Sequence, residues 1–179
     1  MSTRSVTILR NHEKWNDWKT DEVVERGGEL MRFYRHCDGY PDGHGLEMAV
    51  SIVSAKIDGV IDNRNWCAAM LGRFLMSSWS VNFETSDGIE HGDIEYIYVV
   101  EGLCDYTGGR EGVDDCSFVR ITVWKCRYDE GYEKAMSKEP LFSGTPYDYI
   151  KTFDEGESKW AYGGCRHSRE EVFAEIERG

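Results

Sequence analysis

Twelve residues, Tyr34 to Gly45, read YRHCDGYPDGHG and hold two His, two Asp, two Tyr, an Arg, a Cys, a Pro and three Gly. A turn accounts for the Gly, Asp and Pro, which supply unusual backbone angles, local caps and stiffness. It has no need of Arg35, His36, His44, Tyr34 or Tyr40. The stretch runs into an amphipathic segment with helical spacing, and the free N–H groups of a helix start attract anions. Arg35, His36 and His44 add donors for a phosphate, and Asp38 adds a carboxylate. Tyr34, Tyr40 and, further along, Trp79 offer faces on which a base can stack. Gly45 and its neighbours Gly39 and Gly43 let a ligand approach the backbone closely. The set describes a pocket for a nucleotide-like anion. The same residues also make a plain structural turn, with Asp38 and Asp42 capping and Pro41 stiffening it.

Two other chemistries can be drawn from the chain. His36, Asp38 and His44, with His91 from GIEHGD, are potential metal ligands for a hydrolase, yet no HExxH or HxH pair is present. Cys37 beside His36 is no nucleophile pair, because adjacent residues of a strand point apart. There is neither a Gly-Lys-Ser phosphate loop nor a GxSxG elbow. The second chemistry is charge. From Glu84 to Asp115 there are ten acids and a single base, Arg110, so this segment carries −9 of the net −12. The first 83 residues are nearly neutral. Such a chain repels bare DNA or RNA and suits a basic protein surface, including one built to hold nucleic acid. Glu101, Asp105, Glu111, Asp114 and Asp115 are the carboxylates for that role. They lack the alternation of a calcium-binding loop.

The elements that must position these groups follow from periodicity. SVTILR (5–10) alternates as a short first strand. HEKWNDWKTDEVVERGGE reads as partly helical, with sparse anchors at Trp15, Trp18, Val23 and Val24. LMRFYRH is a second strand, with Met31, Phe33 and Arg35 on one face and Arg32, Tyr34 and His36 on the other. Leu46, Ala49, Val50, Val53 and Ile57 define a helix that starts near Asp42–Gly45 and stops at Gly59. A second helix carries Trp66, Ala69, Met70 and Phe74, capped by Asn63. WSVNFET (79–85) and DIEYIYVVEG (93–102) alternate and read as a hairpin. SFVRITVWKCRY (117–128) is a third strong strand, with Phe118, Arg120, Thr122, Trp124 and Cys126 opposite Val119, Ile121, Val123 and Lys125. Residues 129–140 form a short helix or loop, and LFSGTPYDYIKTF contains a strand. HSREEVFAEIER closes the chain as a helix with a Ser168–Glu171 capping box. The order gives an α+β domain over 1–179: a mostly antiparallel sheet with helices packed on one face.

The length suits one domain able to bury its own core. The six Cys form no CxxC pair, and no leader or membrane-length apolar run is visible. The expectation is therefore reduced thiols in a cytoplasmic protein that needs no cofactor.

FYRHCDGYPDGHG followed by an apolar helix, with the later DIEYIYVV, resembles a motif of small uncharacterised bacteriophage and prophage proteins. That motif is Tyr-Arg-His, any residue, Asp-Gly-Tyr-Pro, any residue, Gly, any residue, Gly. The resemblance covers about a third of the chain. It implies a phage-type accessory protein acting in a host cytoplasm, and size and origin then suggest a role against host defence. Binding and sequestering a nucleotide-like ligand is the first expectation. Inhibition of a basic, nucleic-acid-binding defence protein by an acidic surface is the second, in the manner of anti-CRISPR proteins. Metal-assisted hydrolysis is the third. Homo-oligomerisation is compatible with each.

Overall fold

The computed structural model describes residues 3–61, 65–77, 81–84, 92–107, 116–128, 130–156 and 167–179. Its strands are β1 (Ser5–Asn16), β2 (Val23–Arg35), β3 (Val81–Glu84), β4 (Tyr96–Asp105), β5 (Val119–Lys125) and β6 (Phe142–Gly144). Its helices are α1 (Leu46–Ile57), α2 (Trp66–Ser77), α3 (Tyr132–Met136), α4 (Pro146–Phe153) and α5 (Arg169–Arg178). The strands form one sheet in the order β3-β2-β1-β4-β5-β6. Every neighbouring pair is antiparallel except β1 and β4. The fold is thus α+β, as the periodicity indicates.

Alternation along the strands separates two apolar clusters. Leu9, Phe33, Tyr98, Val100, Val119, Ile121 and Val123 point to one face and pack against buried residues of α1, α2, α4 and α5. Val6, Ile8, Tyr34, Ile97, Val99 and Cys126 point to the other, where short α3 covers them with Tyr132 and Ala135. α1 is the central helix, with eight of its twelve residues buried. It ends where the sequence indicates, at Gly59, whose φ of +64° suits glycine. The cap expected at Asn63 lies outside the described residues.

Two sequence expectations are corrected. Residues 12–29 are not helical: β1 continues to Asn16, turns, and returns as β2. Asp17 fixes the turn. Its carboxylate accepts from the N–H groups of Lys19 and Thr20, and its own N–H donates to Glu22 O. Polar residues on both faces hid the strand period here. Second, 79–85 and 93–102 do not form a hairpin. β3 pairs with the end of β2, at Arg32–Arg35, and β4 inserts beside β1 in parallel. β1 was free on that side, because the antiparallel β2 occupies only its other edge.

Candidate functional site

Strand alternation divides the motif before the loop begins. Phe33 and Arg35 face the helices. Tyr34 faces the other cluster, 3% exposed, with its ring edge-on to His36 at 4.6 Å. The sheet itself therefore lies between Tyr34 and Arg35.

The loop that follows is laced to the core. Asp38 takes a left-handed φ of 56°. Gly39 N–H donates to Thr3 O at 3.0 Å, and His44 N–H to Asp38 O at 3.0 Å. Two tyrosines from distant elements clamp it: Tyr98 Oη donates to Gly39 O at 2.8 Å, and Tyr149 Oη to Pro41 O at 3.1 Å. Gly45 sits directly under that clamp. A Cβ there would lie 1.9 Å from Tyr149 Oη and 2.9 Å from the Tyr98 ring. The glycine makes room for tyrosines of the fold. Pro41–Gly45 forms a wide helical turn that leads into α1 with no side-chain cap at its start, so Asp42 is not a cap.

His44 is fully buried at the centre. Its Nδ1 lies 3.0 Å from Arg35 Nη1 and its Nε2 lies 2.7 Å from Thr7 Oγ1. A guanidinium can only donate, so Nδ1 is the acceptor and the ring proton sits on Nε2, donating to Thr7. Thr7 in turn points its hydroxyl at Met48 Sδ, 3.8 Å away. Burial, and then the Arg35 charge, hold the imidazole pKa well below its usual value, so His44 is neutral. Arg35 also donates from Nε to Cys37 O at 2.7 Å and forms an ion pair with Glu47. The Arg35 side chain is 6% exposed and Glu47 26%. The Tyr98 phenol, edge-on to His44 at 5.1 Å, is pushed well up by burial and then by Tyr149.

The sequence-selected ligand residues thus fall into three places. Arg35, His44 and Gly45 are inside, on the helix side. Tyr34 is inside, across the sheet. His36 and Asp38 are exposed, and half-buried Tyr40 donates to Asp38 Oδ1 at 3.2 Å. Trp79 and His91 lie outside the described residues. No group of three or more His, Cys, Asp and Glu is arranged to hold a metal ion among the described residues. Surface cavities of about 340 and 410 Å³ lie at Asn11–Arg26 and at Arg120–Ser143, and neither is lined by a motif residue.

The acidic candidates Glu101 and Asp105 share the face of β4 that carries Ile97 and Val99, beyond the cover of α3. Glu101 stands in register with Arg10 on β1 and Arg120 on β5, and Asp105 with Lys14. Lys14 Nζ is 3.8 Å from Glu25 and 3.9 Å from Asp105. Hydrogen bonds from Thr107 are the main cause that lowers the Asp105 pKa. Glu111, Asp114 and Asp115 lie outside the described residues. Their segment departs from β4 at a defined place: Tyr106 N–H donates to Lys14 O at 2.7 Å, and Asn16 Nδ2 reaches Thr107 O at 3.5 Å.

Trp18 does not anchor a helix. It is instead 87% exposed at the tip of the β1–β2 hairpin, and Val23, in register with Asn16, is 54% exposed. The Asx pattern at Asp17 with Asp21 and Glu22 downstream was the turn signal that could have placed it.

No family model, no curated protein and no solved structure matches this chain. Among the described residues, no helix is long and apolar enough to cross a membrane.

Proposed function

We propose that this is a binding protein, not a catalyst, and that its working surface is the acidic end of the sheet, which takes a basic surface of another protein. The observation that carries the reading is the division of charge. The motif's strongest bases, Arg35 and His44, are turned inward onto Glu47, Cys37 O and Thr7. Asp105 is exposed at the end of β4, and half-buried Glu101 stands between Arg10 and Arg120 on the same face. A carboxylate-rich surface steers basic partners by long-range attraction. It competes with nucleic acid for the same grooves. The resemblance to phage proteins supplies the setting, inhibition of a host defence protein. A nucleotide-like pocket in the loop has less support, because Arg35 and His44 would have to leave existing partners to meet a phosphate.

The test is capture from a bacterial host extract cleared of nucleic acid. Wild type should retain basic proteins that duplex DNA then displaces. Replacing Glu111, Asp114 and Asp115 by Ser should lose them, while His36→Ala should not. Undiminished capture by the acid variant would overturn the reading. A thermal shift with a nucleotide would revive the loop.

A further inference from the structure

We propose that the outer edge of β2, Val23–Met31, pairs with the same edge of a second copy of this chain, antiparallel and about a two-fold axis at Arg26 or Gly27. This pairing goes beyond the acidic-surface reading and needs nothing from the acid-rich segment. A strand edge carries a row of N–H and C=O groups whose spacing fits another extended chain. β2 has such an edge. β1 pairs with it along one side from Val23 to Arg35, and β3 takes the other side only at Arg32–Arg35. Among the described residues nothing pairs with the remaining Val23–Met31 on that side, about 30 Å of strand. The opposite edge of the sheet, β6, is only three residues long.

Three observations make a second copy the occupant. First, the edge lacks most devices that keep edges apart. It has no Pro and no Lys, and Gly27 and Gly28 at its middle present no side chain. Its β-bulge lies at one end, where Leu30 is the extra residue between the Leu9–Met31 and Arg10–Glu29 pairs. Second, its charges are matched within their own sheet. Glu29 holds Arg32 at 2.9 Å, Glu25 is 3.8 Å from Lys14, and Arg26 stands in register with Glu13. The same edge on a second copy therefore meets no uncompensated like charge. Third, the exposed apolar residues of the edge sit at its two ends, Val23 at 54% and Leu30 at 52% exposed. Antiparallel pairing about Arg26 sets Val23 opposite the partner's Glu29, and pairing about Gly27 sets it opposite the partner's Met31. In both registers Val23 stands beside the partner's Leu30, and the two-fold repeats that contact at the other end. A parallel strand would leave these two ends apart. The turn before Val23 and β3 beyond Met31 bar registers far from this centre.

The test is sedimentation equilibrium of the full chain under reducing conditions, with amide hydrogen exchange at the same concentrations. Wild type should be mostly dimer at about 100 µM and mostly monomer at about 1 µM, as for a small transient interface. Exchange within Val23–Met31 should slow as concentration rises, and exchange within Phe142–Gly144 should not. Val23→Lys combined with Leu30→Lys sets like charges side by side across the axis and should weaken the dimer about thirtyfold. Leu141→Lys, an exposed apolar site just before β6, should leave the dimer unchanged. In dilute solution the melting temperatures of wild type and both variants should agree, because these side chains lie outside the core. A monomer at every concentration would overturn the pairing. So would a dimer that the Val23 and Leu30 substitutions leave intact, or protection that rises with concentration elsewhere in the chain. Protection of the edge that appears only on adding host extract would assign it to a foreign strand and would equally rule out the second copy.

Discussion

The Arg35 guanidinium donates to His44 Nδ1 across 3.0 Å in a site closed to solvent. A cation beside a buried imidazole allows only the neutral ring, and burial acts in the same direction. The two residues that make the motif look like a ligand site therefore define each other's state inside the fold.

One consequence is a pH dependence of stability. His44 titrates near 6.5 when unfolded and well below that when folded. Between those values the unfolded chain binds the extra proton, so stability rises with pH there. This contribution is fully present above about pH 6.5 and is lost as pH falls below it, at up to about 1.4 kcal/mol per pH unit. Urea midpoints from pH 7.5 to 5 should fall for wild type. His44→Gln should remove most of that slope, although it lowers stability at neutral pH. An unchanged slope would show that the proton enters elsewhere.

Arg35→Ala removes the donor shared by His44, Glu47 and Cys37 O. Breaking a fully buried pair costs about 3–5 kcal/mol, and the partial exposure of Glu47 brings the expected cost to about 2–3 kcal/mol. At this chain length that lowers the melting temperature by roughly 5–10 °C. Arg35→Lys should recover little, because one ammonium cannot reproduce the guanidinium's spread of donors. A loss below about 2 °C would mean the network contributes little to the fold.

What was legible in the sequence was what is local. The Ser168–Glu171 box, the α1 stripe and the two faces of Val119–Lys125 depend on neighbours within one element, and each is found as read, except that Phe118 precedes the strand in a short 3₁₀ turn and packs with Val119, Ile121 and Val123 instead of sharing the side of Cys126. The two faces of 31–36 were also correct, and they already placed Tyr34 and Arg35 on opposite sides of the sheet. The ligand set joined them only because residue type outweighed direction. The β1–β2 hairpin was hidden because an arm with both faces polar carries no apolar period. The β1–β4 pairing was hidden because sequential strands usually pair, and nothing local says that β1 has a free edge. Composition likewise cannot say whether an Arg and a His turn outward to a ligand or inward to Glu47 and Thr7.

Gly45→Ala tests the tyrosine clamp. The added Cβ would meet Tyr149 Oη at 1.9 Å, so the ring must move. Overpacking of this kind costs about 1–3 kcal/mol. Tyr149→Phe alone loses the bond to Pro41 O, about 1 kcal/mol. In the double variant the clash is eased by the missing hydroxyl. Its loss, measured by chemical denaturation, should be smaller than the sum of the singles by at least about 0.5 kcal/mol. Strict additivity would mean that the loop yields instead of the ring.

The two capping boxes should differ in how far their loss travels. Ser168 accepts from Glu171 N–H at 3.3 Å and donates its own N–H to Glu171 Oε2 at 2.8 Å. Thr145 and Asp148 do the same at 3.2 Å each. Replacing either cap by Ala costs about 1 kcal/mol. α5 packs on α1, whereas α4 carries Tyr149, four residues after Thr145, and Tyr149 holds Pro41 O. Thr145→Ala should therefore loosen the loop as well as its own helix. In amide hydrogen exchange, protection should fall at Gly39 and His44 N–H in Thr145→Ala and remain at its wild-type level in Ser168→Ala, at matched global stability. Equal loss in both would show that the loop opens only when the whole domain unfolds, and that the clamp from α4 is not a separate hold on the motif.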